Sequence, residues 1–411
     1  MRHIYTCVDI GSDTIKVVVC ELYHGRYNLL ATSCVQSKGI KKGLITDVNE
    51  AKISLKNAFS KAEDMLGFKI NKTIAIIPSY YSDFSMIRGA VKINNEDLRI
   101  RGKDVIDVLQ ESMKGQEMNT KEMLTIIPID FALDNAITKE PLGKVSNTLT
   151  ARSIMVSTPR KNINSVISLL SSIGVEVIDI SLGCIGDIYA LKNQEVDECV
   201  SAIVNIGAEK TEVSLYNKGI IVKHSIVNMG SKNVDNDIAY MYKLDSIEAK
   251  KLKETFALAH RNSASLNEIR EAKNKLGEVI KINQYEISEI VSSRLEEILA
   301  SVNQELNSMS SHKPKFIFVT GGITNMMNFD QISREKLGKC AIIGNVNLIG
   351  LRNNKFSSAL GNIIYFVNKL RLKGKDYSMI SSEEMQNLAT PKRNMNQESV
   401  LGKFVEYFFG E

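Results

Sequence analysis

Two ten-residue stretches, half a chain apart, carry one pattern, and that repetition constrains the fold more than any other feature. Val8-Asp9-Ile10-Gly11-Ser12-Asp13-Thr14-Ile15-Lys16-Val17 runs from an apolar strand through a glycine turn into a second, alternating strand. Val204-Asn205-Ile206-Gly207-Ala208-Glu209-Lys210-Thr211-Glu212-Val213 does the same 196 positions later. Each reads as a β-hairpin whose turn holds glycine and small polar residues. Such a turn aims several backbone N–H groups at one point, the geometry that cradles phosphate. One Asp-Ile-Gly hairpin alone would be an ordinary turn. Two in register, followed by Val319-Thr320-Gly321-Gly322, predict an α/β protein with two homologous halves closing on one nucleotide.

The bulk properties agree. A chain of 411 residues exceeds one ordinary core and suits two subdivided lobes. Its 44% apolar and 24% charged residues are those of a soluble globular protein. A net charge of +5 without any basic block argues against nucleic acid as a partner. The six cysteines show no C-x-x-C spacing and read as small hydrophobes of a reducing cytosol. No segment reaches the ~20 apolar residues needed to span a bilayer, and no signal peptide is expected.

Along the chain, strands are expected at 4–10, 15–22 and 27–35, a helix at 49–66 stopped by Gly67, and a strand at 73–77. Residues 83–160 break the alternation as a unit of their own, with a helix at 104–113 and a strand at 126–131 interrupted by Pro128. A helix at 164–173, a strand at 175–180 and a helix at 185–191 lead into the second hairpin and a strand at 220–227. Charged stretches 248–259 and 266–306 read as long helices, before a strand at 315–319 and a helix at 358–370.

In this order, the hairpins, the region Val227–Tyr242 with Gly230, Asn233 and Asp237, the Thr320-Gly321-Gly322 turn and Ser358-Ala359-Leu360-Gly361 resemble the actin-like ATPases. Lys38-Gly39-Ile40-Lys41-Lys42-Gly43, Pro128 with Asp134, Pro141-Leu142-Gly143, and Ala249, Leu252 and Lys253 resemble more closely the FtsA family of bacterial cell-division proteins. The resemblance covers roughly residues 1–370. It implies an actin-like fold, two duplicated lobes around a nucleotide cleft with an inserted α+β subdomain. The first lobe would comprise 1–82, 161–198 and 350–372, and the insert 83–160. The second lobe would comprise 199–242 and 315–349, with a helical subdomain at 243–314.

The same resemblance implies ATP with Mg²⁺ as cofactors. Gly11, Ser12, Asp13 and Thr14 would form the first phosphate loop, with Lys16 neutralising phosphate charge. By its alternation with Ile15 and Val17, Lys16 also reads as a plain outward strand residue. Gly207, Ala208, Lys210 and Thr211 would form the second loop. Gly230 and Asn233 would lie beside phosphates or ribose, Lys253 beside the adenosine, and Gly321, Gly322 and Ile323 against the base. Taken alone, Lys253 is a solvated helix lysine.

The resemblance has one departure: Asn205 stands where such ATPases usually place an aspartate that organises magnesium through water. An amide still hydrogen-bonds a hydrated cation but brings no charge, leaving Asp9 to hold the metal through water. Nucleotide binding with slow or absent hydrolysis is expected, with no catalytic residue assigned.

Partners follow from the same likeness. Arg294, with Ile290 and Glu297, resembles the site for the acidic tail of the tubulin-like FtsZ, and self-association into filaments is implied. Residues 373–398 read as a flexible linker. Beyond it, Val400, Leu401, Phe404, Val405, Phe408 and Phe409 share one helical face suited to the membrane interface. A peripheral protein on the cytoplasmic side of the cell membrane at the division septum is the expectation. The competing readings are a small-molecule (sugar) kinase of the same superfamily, for which no catalytic base is evident, and an Hsp70-like chaperone, for which too few residues follow the nucleotide domain.

Overall fold

The computed structural model describes residues 2–116, 120–346, 348–351 and 353–380. The first sheet begins with the three antiparallel strands β1 (Arg2–Ile10), β2 (Thr14–Tyr23) and β3 (Arg26–Gln36). A two-residue-stranded hairpin follows, β4 (Ile40–Lys41) and β5 (Leu44–Ile45), whose turn lies at Lys42-Gly43. Helix α1 (Val48–Leu66) starts where the Asp47 carboxylate accepts from the N–H groups of Asn49 and Glu50, and stops at left-handed Gly67. Strand β6 (Lys72–Ile77) then joins β1 in parallel.

A separate four-stranded antiparallel sheet interrupts this lobe. It consists of β7 (Asp83–Lys92), β8 (Lys121–Ala132), β9 (Ile137–Thr138) and β10 (Thr148–Pro159), in the order β7-β10-β8-β9. Helix α2 (Gly102–Glu111) lies on it, burying Val105, Val108 and Leu109 against Phe131 and Leu149. Pro128 does not interrupt β8 as expected. The ladder to β10 slips at Arg152/Ser153, passing over Ile129, so the residue without an N–H sits at a bulge. Helix α3 (Arg160–Ser171), β11 (Glu176–Leu182) and α4 (Gly183–Leu191) return the chain to the first sheet, whose order is β11-β6-β1-β2-β3.

The second lobe repeats that plan. Strands β12 (Val200–Ile206), β13 (Thr211–Asn217) and β14 (Ile220–Val227) form an antiparallel set. Helices α5 (Ser231–Met241) and α6 (Ser246–Thr255) follow. The stretch expected to be one helix from 266 opens instead with the hairpin β15 (Ile269–Lys273) and β16 (Val279–Asn283). Only then does α7 (Gln284–Met309) begin, capped by Asn283, so the subdomain at 243–314 is not wholly helical. Strand β17 (Phe316–Thr320), α8 (Phe329–Leu337) and β18 (Ala341–Ile343) complete the order β14-β13-β12-β17-β18. The two sheets therefore share one topology, three antiparallel strands followed by two parallel ones.

Helix α9 (Ser357–Leu372) packs on α4. The segment after it is not a free linker from residue 373. Met379 N–H donates to the Ile4 carbonyl at 2.9 Å, Tyr5 hydroxyl to the Tyr377 carbonyl at 2.8 Å, and Met379 and Ile380 are buried. The rest of the expected linker, and the apolar tail face at 399–411, lie outside the described residues.

Candidate nucleotide-binding cleft

The two repeated turns form one wall each of a cleft of about 510 Å³. In each, a glycine N–H bonds the carbonyl three residues on: Gly11 to Thr14 at 3.1 Å and Gly207 to Lys210 at 2.9 Å. A Cβ added at Gly11 would come within 2.8 Å of the Thr14 carbonyl, so the turn needs glycine there. The strands below are in equivalent register, with Asp9 opposite Lys16 and Asn205 opposite Glu212.

These pairs carry the charge of the site. Lys16 Nζ lies 2.7 Å from Asp9 Oδ2. Burial works against the Lys16 charge, but Asp9 outweighs it and the ammonium is retained. Lys16 is thus not an outward strand residue. Across the cleft, Lys210 Nζ lies 2.5 Å from Glu212 Oε1, which also accepts from Ser79 Oγ at 2.5 Å. Burial pushes the Glu212 carboxyl up, but Lys210, His224 and these hydrogen bonds overcome it and hold it down at about 2.

Asp9, Gly11, Ser12, Asp13, Thr14, Lys16, Asn205, Gly207, Ala208, Lys210, Lys253, Gly321, Gly322 and Ile323 line this cleft together. Three residues expected there do not. The Thr211 side chain is buried and its hydroxyl donates to the Met229 carbonyl at 2.8 Å. Gly230 and Asn233 stand one layer back, where Asn233 Oδ1 accepts the Gly230 N–H at 3.0 Å. From there α5 braces the second turn: Ser231 and Lys232 N–H donate to the carbonyls of Gly207 and Ala208, both at 2.8 Å.

Lys253 is not a solvated lysine. It is 4% exposed and lies 2.7 Å from Asp235 Oδ1. Gly321, at φ +103°, sets its turn close against β12, where a side chain would meet the Ile206 carbonyl at 2.3 Å. Arg294 lies outside the cleft and is not a free cation. Its guanidinium grips Asp237 through Nε at 2.6 Å and Nη2 at 3.0 Å, and Glu297 through Nη1 at 2.5 Å.

Several residues of the site escaped the sequence reading. Glu209, at the second turn, accepts from Lys42 N–H at 2.6 Å and Lys232 Nζ at 2.8 Å. Lys250 Nζ donates to both carboxylate oxygens of Asp13, at 2.7 and 2.9 Å. Glu212 also escaped, although the repeat carries its signal: it is the residue 196 positions after Lys16. Asp187, buried below Asn205, belongs to no motif.

Two five-stranded lobes of one topology, with paired glycine turns facing each other, define an actin-like protein. Solved structures of that fold match nearly the whole chain: the PilM-PilN type IV pilus biogenesis complex (TM-score 0.59, 14% identity, 88% of this chain and 98% of that one) and MreB5 of Spiroplasma citri bound to ADP (TM-score 0.55, 12% identity, 90% and 98%). The family profile described as "Cell division protein FtsA" matches residues 202–361, and "SHS2 domain inserted in FTSA" matches 83–157. The cell division protein FtsA of Bacillus subtilis (strain 168) is 26% identical over 388 residues, 93% of this chain and 88% of the relative. The chain belongs to the FtsA family of cell-division proteins.

Proposed function

We propose that this protein binds ATP with Mg²⁺ in the cleft, self-associates into filaments, and tethers FtsZ filaments to the cytoplasmic face of the membrane at the division septum, where later division proteins join. The observation that carries the nucleotide reading is the pair of glycine turns opposed across one cleft, with Lys16 and Lys210 behind them. The fold's neighbour MreB5 holds ADP.

The donor set suits magnesium in a particular way. Among the described residues no three His, Cys, Asp or Glu side chains cluster to hold a metal. Magnesium keeps most of its water and takes its anionic ligands from phosphates, so it needs few protein groups. Asp9, with only Oδ2 taken by Lys16, and Asn205 line the cleft as acceptors for that water. The cation would offset phosphate charge. Glu209 and Glu212 are each held by a lysine, so neither is a free general base, which supports slow or absent hydrolysis.

Calorimetry with Mg-ATP tests the reading. Saturation a hundredfold above Kd would add about 2.7 kcal/mol of stability and raise Tm. No heat and no shift in folded protein would overturn it. For the membrane, deletion of residues 399–411 is expected to abolish co-sedimentation with liposomes, and full retention would defeat that part. For the FtsZ tail, Arg294 enters as a contact only by giving up Asp237. Unchanged tail-peptide affinity in Arg294→Glu would remove it from the binding surface.

A further inference from the structure

Beneath the cleft floor, Asp187 on α4 is 1% exposed and fully engaged. Its Oδ1 accepts from the hydroxyls of Ser357 at 2.7 Å and Ser358 at 2.8 Å, and its Oδ2 accepts from Asn205 Nδ2 at 2.8 Å. The serines open α9 in the first lobe, whereas Asn205 is the last residue but one of β12 in the second. One carboxylate thus ties the two lobes at the base of the cleft.

An amide has one donor end and one acceptor end. Asn205 spends its donor end on Asp187, and on Ser358 Oγ at 3.3 Å, so its oxygen is turned away from both. That oxygen faces the cleft turn: a Cβ on Gly321 would come within 3.1 Å of it. An aspartate at 205 would set two carboxylates against each other here, and one of them would have to keep a proton. Asparagine at the surface and aspartate below keep one negative charge at this floor, moved one layer inward.

We propose that Asp187 is a positioning residue of the cleft, fixing the Asn205 amide with its oxygen toward the bound nucleotide's hydrated magnesium and supplying from below the charge that the amide lacks. The inference rests on the nucleotide reading above. It gives Asp187 a role in metal-dependent binding rather than in the fold alone.

The experiment is calorimetry of ATP, with magnesium and with EDTA, on wild-type protein, Asp187→Asn, and Asp187→Asn combined with Asn205→Asp. Magnesium is expected to tighten binding to wild type. Asp187→Asn should lose about tenfold of that gain, as for groups that orient a metal's partners, with EDTA affinity unchanged. The double variant, with the charge moved up, should recover it. Full magnesium gain in Asp187→Asn, or equal loss with and without metal, would overturn the proposal. If wild type binds no nucleotide at all, the cleft reading has failed, and the crystal structure of Asp187→Asn still decides the positioning. A turned or displaced Asn205 supports it; an unmoved one overturns it. Ser358→Ala, which removes one donor and keeps the carboxylate, is expected to show a smaller loss in the same direction.

Discussion

Asp187 carries an energetic cost that can be read in pH. Burial raises its carboxyl to about 6, against the hydrogen bonds from Ser357, Asn205 and Ser358, and Glu212 on β13 adds to the rise. The unfolded chain releases this proton near 3.8, so between 3.8 and 6 only the folded state holds it. Stability contributed by this group therefore falls as pH rises through that window, by about 1 kcal/mol between pH 5 and 7. Denaturant curves of wild type should show that decline relative to Asp187→Asn, which has no proton to lose. Equal slopes would contradict the buried charge. Glu212 acts in the opposite sense: held at about 2, it adds stability above its ordinary value of 4.5 that is lost as pH falls toward 2. The two carboxylates also differ in legibility. Glu212 follows from the repeat, because cross-strand register carries the Lys16 position onto it. Asp187 lies within a run of apolar helix residues, and its partners come from β12 and α9, which only the tertiary fold brings together.

The elements show where pattern suffices and where it fails. Both hairpins and the strands below them were legible, because buried alternation and a glycine turn specify register strongly. The hairpin β15–β16 was not: of its ten residues only Ala272 and Ile282 are buried, so no apolar alternation marks it. Its signal was the turn, where Asn274 Oδ1 accepts from Leu276 and Glu278 N–H and Gly277 takes φ +84°. Glycines also set two element contacts that pattern does not reveal. A Cβ at Gly230 would stand 2.5 Å from the carbonyls of both Gly207 and Ala208. Gly230→Ala is expected to push α5 off the second turn, cost about 1–3 kcal/mol, and weaken nucleotide binding more than that loss of stability alone would. Where α4 crosses α9, a Cβ at Gly361 would meet the Gly186 carbonyl at 1.7 Å. Gly361→Ala should separate the helices that bring Asp187 to Ser358, lowering Tm and magnesium dependence together. A variant with wild-type Tm would show that the crossing yields without cost.

At the scale of the molecule, the lobes are joined across the mouth of the cleft by the protein's own charges. Asp13 of the first turn is held by Lys250 of α6, and Glu209 of the second turn by the Lys42 N–H of the β4–β5 turn. Gly43 N–H donates to Ser12 Oγ at 2.7 Å, drawing that small hairpin against the first glycine turn. The Asp13–Lys250 pair is a third exposed, so solvent screens it and its loss should cost well under 1 kcal/mol. Glu209 is different in kind. Its carboxylate sits within the cleft lining and is held by a backbone N–H and by Lys232, the donor types that an incoming phosphate would use. On the proposed function, an incoming triphosphate would compete with this resident anion for those donors. Glu209→Gln keeps the shape and removes the charge, and it is expected to tighten ATP binding by about 1 kcal/mol, roughly fivefold. The gain should shrink at high salt, as screening removes the repulsion it relieves. Weaker binding in the variant would mean that the carboxylate assists the nucleotide through a shared cation, and would rule out competition between the two anions.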